Sequence, residues 1–192
     1  GTGVRIDAVK RLAGRPSVAC AILVALSLLL GMLWMRPPNP GGDAVRYVYY
    51  ALNLHDHGVF SQDAPDRSEM PRAGNDHAPL YPAWIALFMR LSPDFRGSLA
   101  CFMERGRPPA SCPRAFGAFV AAQLALAGLL LGAVWLLALR LSGSVSVAWL
   151  AAAAALLSRD PLRYANLVLT EALLVPLLAW FTVFLVIAYQ DR

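Results

Sequence analysis

The chain has 192 residues, 58% of them hydrophobic and only 15% charged, and its formal net charge of +5 rests on arginine almost alone, with Lys10 the sole lysine. That is too apolar for an ordinary soluble domain and marks a membrane protein. Nucleic-acid binding is excluded as a reading of the basic balance, because the arginines are scattered and build no basic helix or aromatic-interleaved stripe.

The first predicted element is an apolar run of 18 uncharged residues, Val18 to Met35, long enough at 1.5 Å per residue to cross most of a hydrocarbon core of about 30 Å. Arg5, Lys10, Arg11 and Arg15 precede it. A cleaved signal peptide is the competing reading, but the run exceeds the roughly 7–15 residues of an h-region, and Met35-Arg36-Pro37-Pro38 is a poor cleavage site. The basic flank places the N-terminus in the cytoplasm by the positive-inside rule.

A segment of 79 residues, Arg36 to Arg114, follows on the external side, too long to be a mere connector and therefore the expected seat of the chemistry. It opens with GGDAVRYVYYALNLHDHG, in which Asp43 is suited to cap a helix running to His57, with Gly58 as its stop. Arg46 stands three residues on, and Asp43 as a plain cap with Arg46 as its neighbour is the competing reading. Further along, PLYPAWIALFMRL (Pro79 to Leu91) puts Leu80, Trp84, Leu87, Phe88 and Leu91 on one helical face at a length too short to span. A helix lying on the membrane surface fits this pattern; a short helix buried against the spans is the alternative. Cys101 and Cys112 lie in the same external segment, where an oxidising compartment permits a disulfide between them. His55 and His57 are two apart, a poor spacing for two ligands on one helical face, whereas His77 with carboxylates leaves a metal site open.

The second span is Ala115 to Leu139, 25 uncharged residues interrupted only by the polar Gln123. After the turn LSGS comes an alanine-rich stretch, Val145 to Ser158, short for a crossing but rich in the small residues that let helices approach closely in lipid. SRDPLRYAN is expected to be an external loop in which Pro161 interrupts helix continuation, and Leu167 to Tyr189 is the last span, with Pro176 inside it. The expected fold is therefore all-α: a polytopic membrane bundle of about four transmembrane helices, N-terminus inside, with amphipathic surface helices in the long first external loop, 36–114. On this topology Asp43 and Glu171 face the same side. An ionisable group within an apolar segment usually faces a cavity or a partner, while a glutamate in a first helical turn that complements the helix dipole is the milder account of Glu171.

The order of these elements, an external Asp at the head of a surface helix (GGDAVRYVYYALNLHDHG), then HAPLYPAWIALFMRL, then LTEALLVPLLAW at an external helix start, resembles the N-terminal module of GT-C membrane glycosyltransferases, in particular the protein O-mannosyltransferase and aminoarabinose-transferase-like group. The likeness covers about residues 16 to 190. It implies an integral enzyme of the bacterial inner membrane that takes a sugar from a polyprenyl-phosphate donor and passes it to an external acceptor, a glycan, lipid or protein, with inversion. It implies Asp43 as the general base or acceptor-orienting group and Glu171 as the second acidic position, holding acceptor or sugar hydroxyls or helping a divalent cation, the one cofactor the reading admits. Arg46, Arg72, Arg159 and Arg163 are the external candidates for the phosphate, because guanidinium binds phosphate oxygens bidentately, and Tyr47, His77 and Tyr81 complete the set of substrate-binding candidates.

These enzymes commonly have eleven or more spans, and the chain is expected to be a fragment or to work with another subunit. The rival class is a non-catalytic membrane scaffold or accessory protein that binds a polyprenyl lipid. A transporter is disfavoured, because polar residues deep in the spans are sparse.

Overall fold

The structure, a computed structural model, describes residues 15–33, 43–64, 70–74, 76–104 and 111–191. The flank residues Arg5, Lys10 and Arg11 and the glycine pair at 41–42 lie outside them. Every regular element among the described residues is helical: α1 (Pro16–Leu33), α2 (Asp43–His57), α3 (Leu80–Leu91), α4 (Pro93–Met103), α5 (Gly117–Ser142), α6 (Val145–Leu157), α7 (Asp160–Ala165) and α8 (Glu171–Gln190). Of these, α1, α5 and α8, at 18, 26 and 20 residues, are long and apolar enough to cross a membrane. The predicted third crossing is α6, which is equally apolar but only 13 residues long, or about 20 Å at 1.5 Å per residue. The chain thus has the helices of a membrane protein with three candidate spans.

The chain forms two compact units, one of Gly1–Met35, Ala121–Asn166 and Glu171–Arg192, the other of Arg36–Val120 with Leu167–Thr170. In the first, α1 meets α5 through small residues. Gly128 of α5 lies directly against the backbone of Val24, and a Cβ placed at Gly132 would stand 2.7 Å from the Cys20 Sγ. Ser27 Oγ donates across the same seam to the Leu124 carbonyl at 2.7 Å. Such close approach is how helices gain contact in lipid, where burying apolar surface against another helix brings little over burying it in acyl chains. The indole of Trp180 on α8 donates to the Leu129 carbonyl of α5 at 3.1 Å, and Trp135 and Trp149 bring α5 and α6 edge to face at 6.0 Å. Of the expected LSGS turn only the second half forms, because Leu141 and Ser142 complete α5: Gly143 takes a φ of 66°, a conformation cheap only for glycine, and Ser144 Oγ caps α6 by accepting from Val147 N at 3.4 Å.

Several predicted boundaries move: α1 begins at Pro16 rather than Val18, and α5 runs from Gly117 to Ser142 rather than from Ala115 to Leu139, with Arg140 in its last turn. SRDPLRYAN is not an uninterrupted loop but holds α7, and Pro161 falls in its first turn, where a missing N–H costs nothing. The break after α6 is made instead at Arg159, which adopts a left-handed φ of 64°. The last span begins at Glu171 and not at Leu167.

In the second unit α2, α3 and α4 pack on one another over a core that includes Tyr50, Leu52, Tyr81, Ile85, Phe95 and Leu99. Phe95 stacks on Phe119 at 5.0 Å and meets Phe88 and Phe116 edge-on, arrangements that contribute about 0.5–1.5 kcal/mol each beyond area burial. Gly58, at φ 67°, ends α2 where the sequence places its stop. Ser92 Oγ caps α4, accepting from Phe95 N at 3.3 Å, with Pro93 as its first residue. The expected Cys101–Cys112 disulfide is formed, and Ser98 Oγ accepts from Ala115 N at 3.1 Å beside it. The chain leaving α2 is folded back by Asn53, whose buried amide donates to the Ser61 and Asp63 carbonyls at 3.0 and 2.9 Å.

Candidate functional site

Asp43, Arg46, Tyr47 and Tyr50 stand at i, i+3, i+4 and i+7 of α2, which puts them in one stripe of the helix surface. Along this stripe exposure falls steadily. Asp43 and Arg46 are exposed and Tyr47 is half-buried, while Tyr50 is 0% exposed. Two other elements bring rings to the stripe. His77 meets Tyr47 edge-on at 5.4 Å and Tyr50 at 5.5 Å, and Tyr81, in the first turn of α3, meets Tyr47 edge-on at 5.5 Å. Phe60 stacks on Tyr50 at 4.1 Å, and its carbonyl accepts from Gly74 N at 2.8 Å. That bond fastens the segment leading to His77 against the segment leaving α2.

The result is a carboxylate and a guanidinium at the solvent edge above a patch of aromatic rings carrying hydroxyl and imidazole groups. Asp43 lies open to solvent, so any desolvation of its carboxylate has to come from what binds there. Arg72 is also exposed, and its backbone N–H donates to Asp63 Oδ2 at 2.8 Å, which adds a second fastening between the strands of this loop.

The remaining predicted residues belong to the other unit. Glu171 is the first residue of α8 and lines a pocket of about 190 Å³ with Asp160, Tyr164, Leu130, Val175 and Pro176 among its walls. Glu171 thus lines this cavity from the first turn of its helix. Arg159, just before α7, and Arg163, within it, flank this region, both exposed, and neither lines the pocket. So Asp43, Arg46, Tyr47, Arg72, His77 and Tyr81 lie in one unit, and Arg159, Arg163 and Glu171 in the other. Among the described residues no three His, Cys, Asp or Glu side chains gather around one point as a preformed metal cage would require.

Sequence reasoning missed an ion pair. Asp56, near the C-terminal end of α2, is gripped by Arg96 of α4 in a bidentate pair, with Nε to Oδ1 at 2.9 Å and Nη2 to Oδ2 at 2.6 Å, and His55 Nδ1 lies 2.6 Å from the same Oδ1. Partial burial pushes the Asp56 carboxyl upward. The hydrogen bonds from Arg96 and His55 and their charges outweigh it and hold the group below its ordinary value. The two partners are 40 positions apart, so no local pattern announces them. Tyr50 was legible, because the seven-residue spacing from Asp43 already places it on the same stripe.

No protein-family model matches the chain, and no curated protein or solved structure matches it.

Proposed function

We propose that the chain is a GT-C-type membrane glycosyltransferase, or a part of one, that moves a sugar from a polyprenyl-phosphate donor to an acceptor hydroxyl at the external face of a bacterial inner membrane. In this reading the N-terminus is cytoplasmic, α6 makes a fourth, shorter crossing, and α3 lies along the membrane surface. Its outer face supports that placement: Leu80, Leu87 and Leu91 are 54%, 46% and 69% exposed, whereas Tyr81, Ile85 and Met89 face inward. Exposed leucines with the exposed Arg90 beside them suit the headgroup boundary better than water.

The observation that carries the proposal is the stripe of α2, where one exposed carboxylate stands beside Arg46 and above Tyr47, His77 and Tyr81. Asp43 takes the proton of the acceptor hydroxyl as its oxygen attacks the anomeric carbon. The bond from that carbon to the phosphate oxygen breaks, and the polyprenyl phosphate leaves with the electron pair, its charge met by Arg46 and His77. The half-buried Tyr47 offers an apolar ring face and a hydroxyl together, the combination a hydroxyl-rich sugar ring uses, while Tyr81, 1% exposed, supports that ring from the core. A positioned general base contributes about 10²–10⁴-fold. Asp43→Asn, in reconstituted protein supplied with polyprenyl-phosphate sugar, is therefore expected to lower transfer by about 100-fold or more; undiminished turnover removes the catalytic role.

A second reading, a non-catalytic accessory protein that holds the polyprenyl lipid, is favoured by the same open leucine face of α3. It predicts that Asp43→Asn changes nothing, and that replacing Leu87 and Leu91 by Asn abolishes lipid retention.

A further inference from the structure

Two polar atoms inside the aromatic patch are enclosed and unpaired. The Tyr50 hydroxyl and the His77 Nδ1 are both shut off from solvent with no hydrogen-bond partner among the described residues, and they belong to rings whose centres are 5.5 Å apart. Tyr50 is entirely buried. An enclosed hydroxyl or imidazole nitrogen left unpaired forfeits its hydration with nothing in return, so two in one cluster need a physical account. Packing gives none, for a phenylalanine in place of Tyr50 would keep its stack on Phe60 and remove the unpaired hydroxyl. The neighbour over that hydroxyl is Gly74, whose absent Cβ would stand 3.5 Å from the Tyr50 oxygen. The chain therefore passes the hydroxyl with its smallest residue.

We propose that Tyr50 is a positioning residue for His77, acting through one enclosed water held between its hydroxyl and Nδ1. A water is the smallest group that satisfies both atoms, and buried waters typically serve polar groups of this kind. The Tyr50 O–H donates to the water and the water donates to Nδ1, so Nδ1 is the acceptor. In a neutral imidazole with Nδ1 as acceptor the proton resides on Nε2. Nε2 is then a fixed N–H donor, as metal-binding and catalytic histidines are fixed by the bond their other nitrogen makes. Its ligand class is an anionic oxygen, phosphate or carboxylate. The proposal concerns His77 alone and stands whether or not sugar transfer does.

The chain has only three histidines, so ¹⁵N-histidine labelling of the intact protein in detergent micelles resolves them, with His77→Gln assigning the signal. Above the range where histidine titrates, His77 is expected to show a single tautomer, an unprotonated Nδ1 and a protonated Nε2. In Tyr50→Phe that pattern is expected to be lost to averaged tautomers, while the signals of His55 and His57 stay in place. Tyr50→Met, which likewise removes the hydroxyl while keeping an apolar side chain against Phe60, is expected to have the same effect and serves if the first variant fails to fold. Wild-type shifts for His77 in either folded variant would overturn the proposal, as would an Nδ1-protonated imidazole in the parent protein.

Discussion

The two units are held by different physics. In the first, α1 and α5 touch through glycine and serine, with one hydroxyl and one indole bonded to backbone carbonyls across the helices. The second relies on stacked phenylalanines, a disulfide, an asparagine clamp and a bidentate ion pair. The first unit is built mainly from the helices long and apolar enough to span, and lipid rewards close van der Waals contact and punishes unpaired polar groups. In the second, cross-links that restrict the unfolded chain add to what the aromatic core contributes.

If that contrast is right, the largest loss comes from removing the close approach in the first unit. Gly128→Leu forces α1 away from α5 at Val24. It is expected to cost about 3 kcal/mol, the upper end of overpacking penalties, although leucine is the better helix former by close to 1 kcal/mol. Thermal unfolding in micelles followed by circular dichroism measures it; an unchanged midpoint would show that the glycine seam is not what joins these helices.

Next in size is the disulfide. Cys101→Ser opens a loop of sequence separation 11 and is expected to cost about 2–3 kcal/mol by the loop-entropy relation. The loss should be confined to the second unit. Faster proteolysis around residues 101–112, with α5 and α8 still protected, sharpens the comparison, whereas equal loss of protection in both units breaks it.

The smallest effect is the Asp56–Arg96 pair, whose side chains are 23% and 39% exposed, so solvent screening limits it to about 1 kcal/mol or less. Its sign is defined by linkage. Asp56 has its folded pKa depressed, so its contribution is fully present above the unfolded carboxylate value of about 3.9 and is lost as pH falls through the lower folded value. Stability of the second unit should decline over that acidic window in the parent protein, and Asp56→Asn should remove this part of the slope while lowering stability at neutral pH. Parallel pH profiles for the two proteins would discard the assignment.

Much of this was present in local pattern. Uninterrupted apolar runs announce α1, α5 and α8, because crossing a bilayer is a demand on length and hydropathy that no tertiary contact needs to supply. Gly58 marks the end of α2 for a similar reason, since positive φ is a property of one residue and its immediate neighbours, and Asp43, expected as the cap, is the first residue of the helix. Arg159 shows the limit. Its left-handed backbone, which lets α7 start before Pro161, has no local signature, since arginine does not favour that conformation. α3 shows another: its leucine face and its Tyr81–Ile85–Met89 face are both apolar, so periodicity identified a helix without deciding which side is buried.

What residue order determined by itself, then, is the set of elements: apolar helices of spanning length, a stopped helix headed by Asp43, and two cysteines eleven positions apart. Only the tertiary structure decided the pairings: Asp56 with Arg96, Gly128 against Val24, Tyr50 beside His77, Asn53 over the loop that follows it. Each of those joins residues from separate segments or depends on which helical face turns inward, and such choices follow from packing and enclosure, which no neighbour-by-neighbour preference encodes.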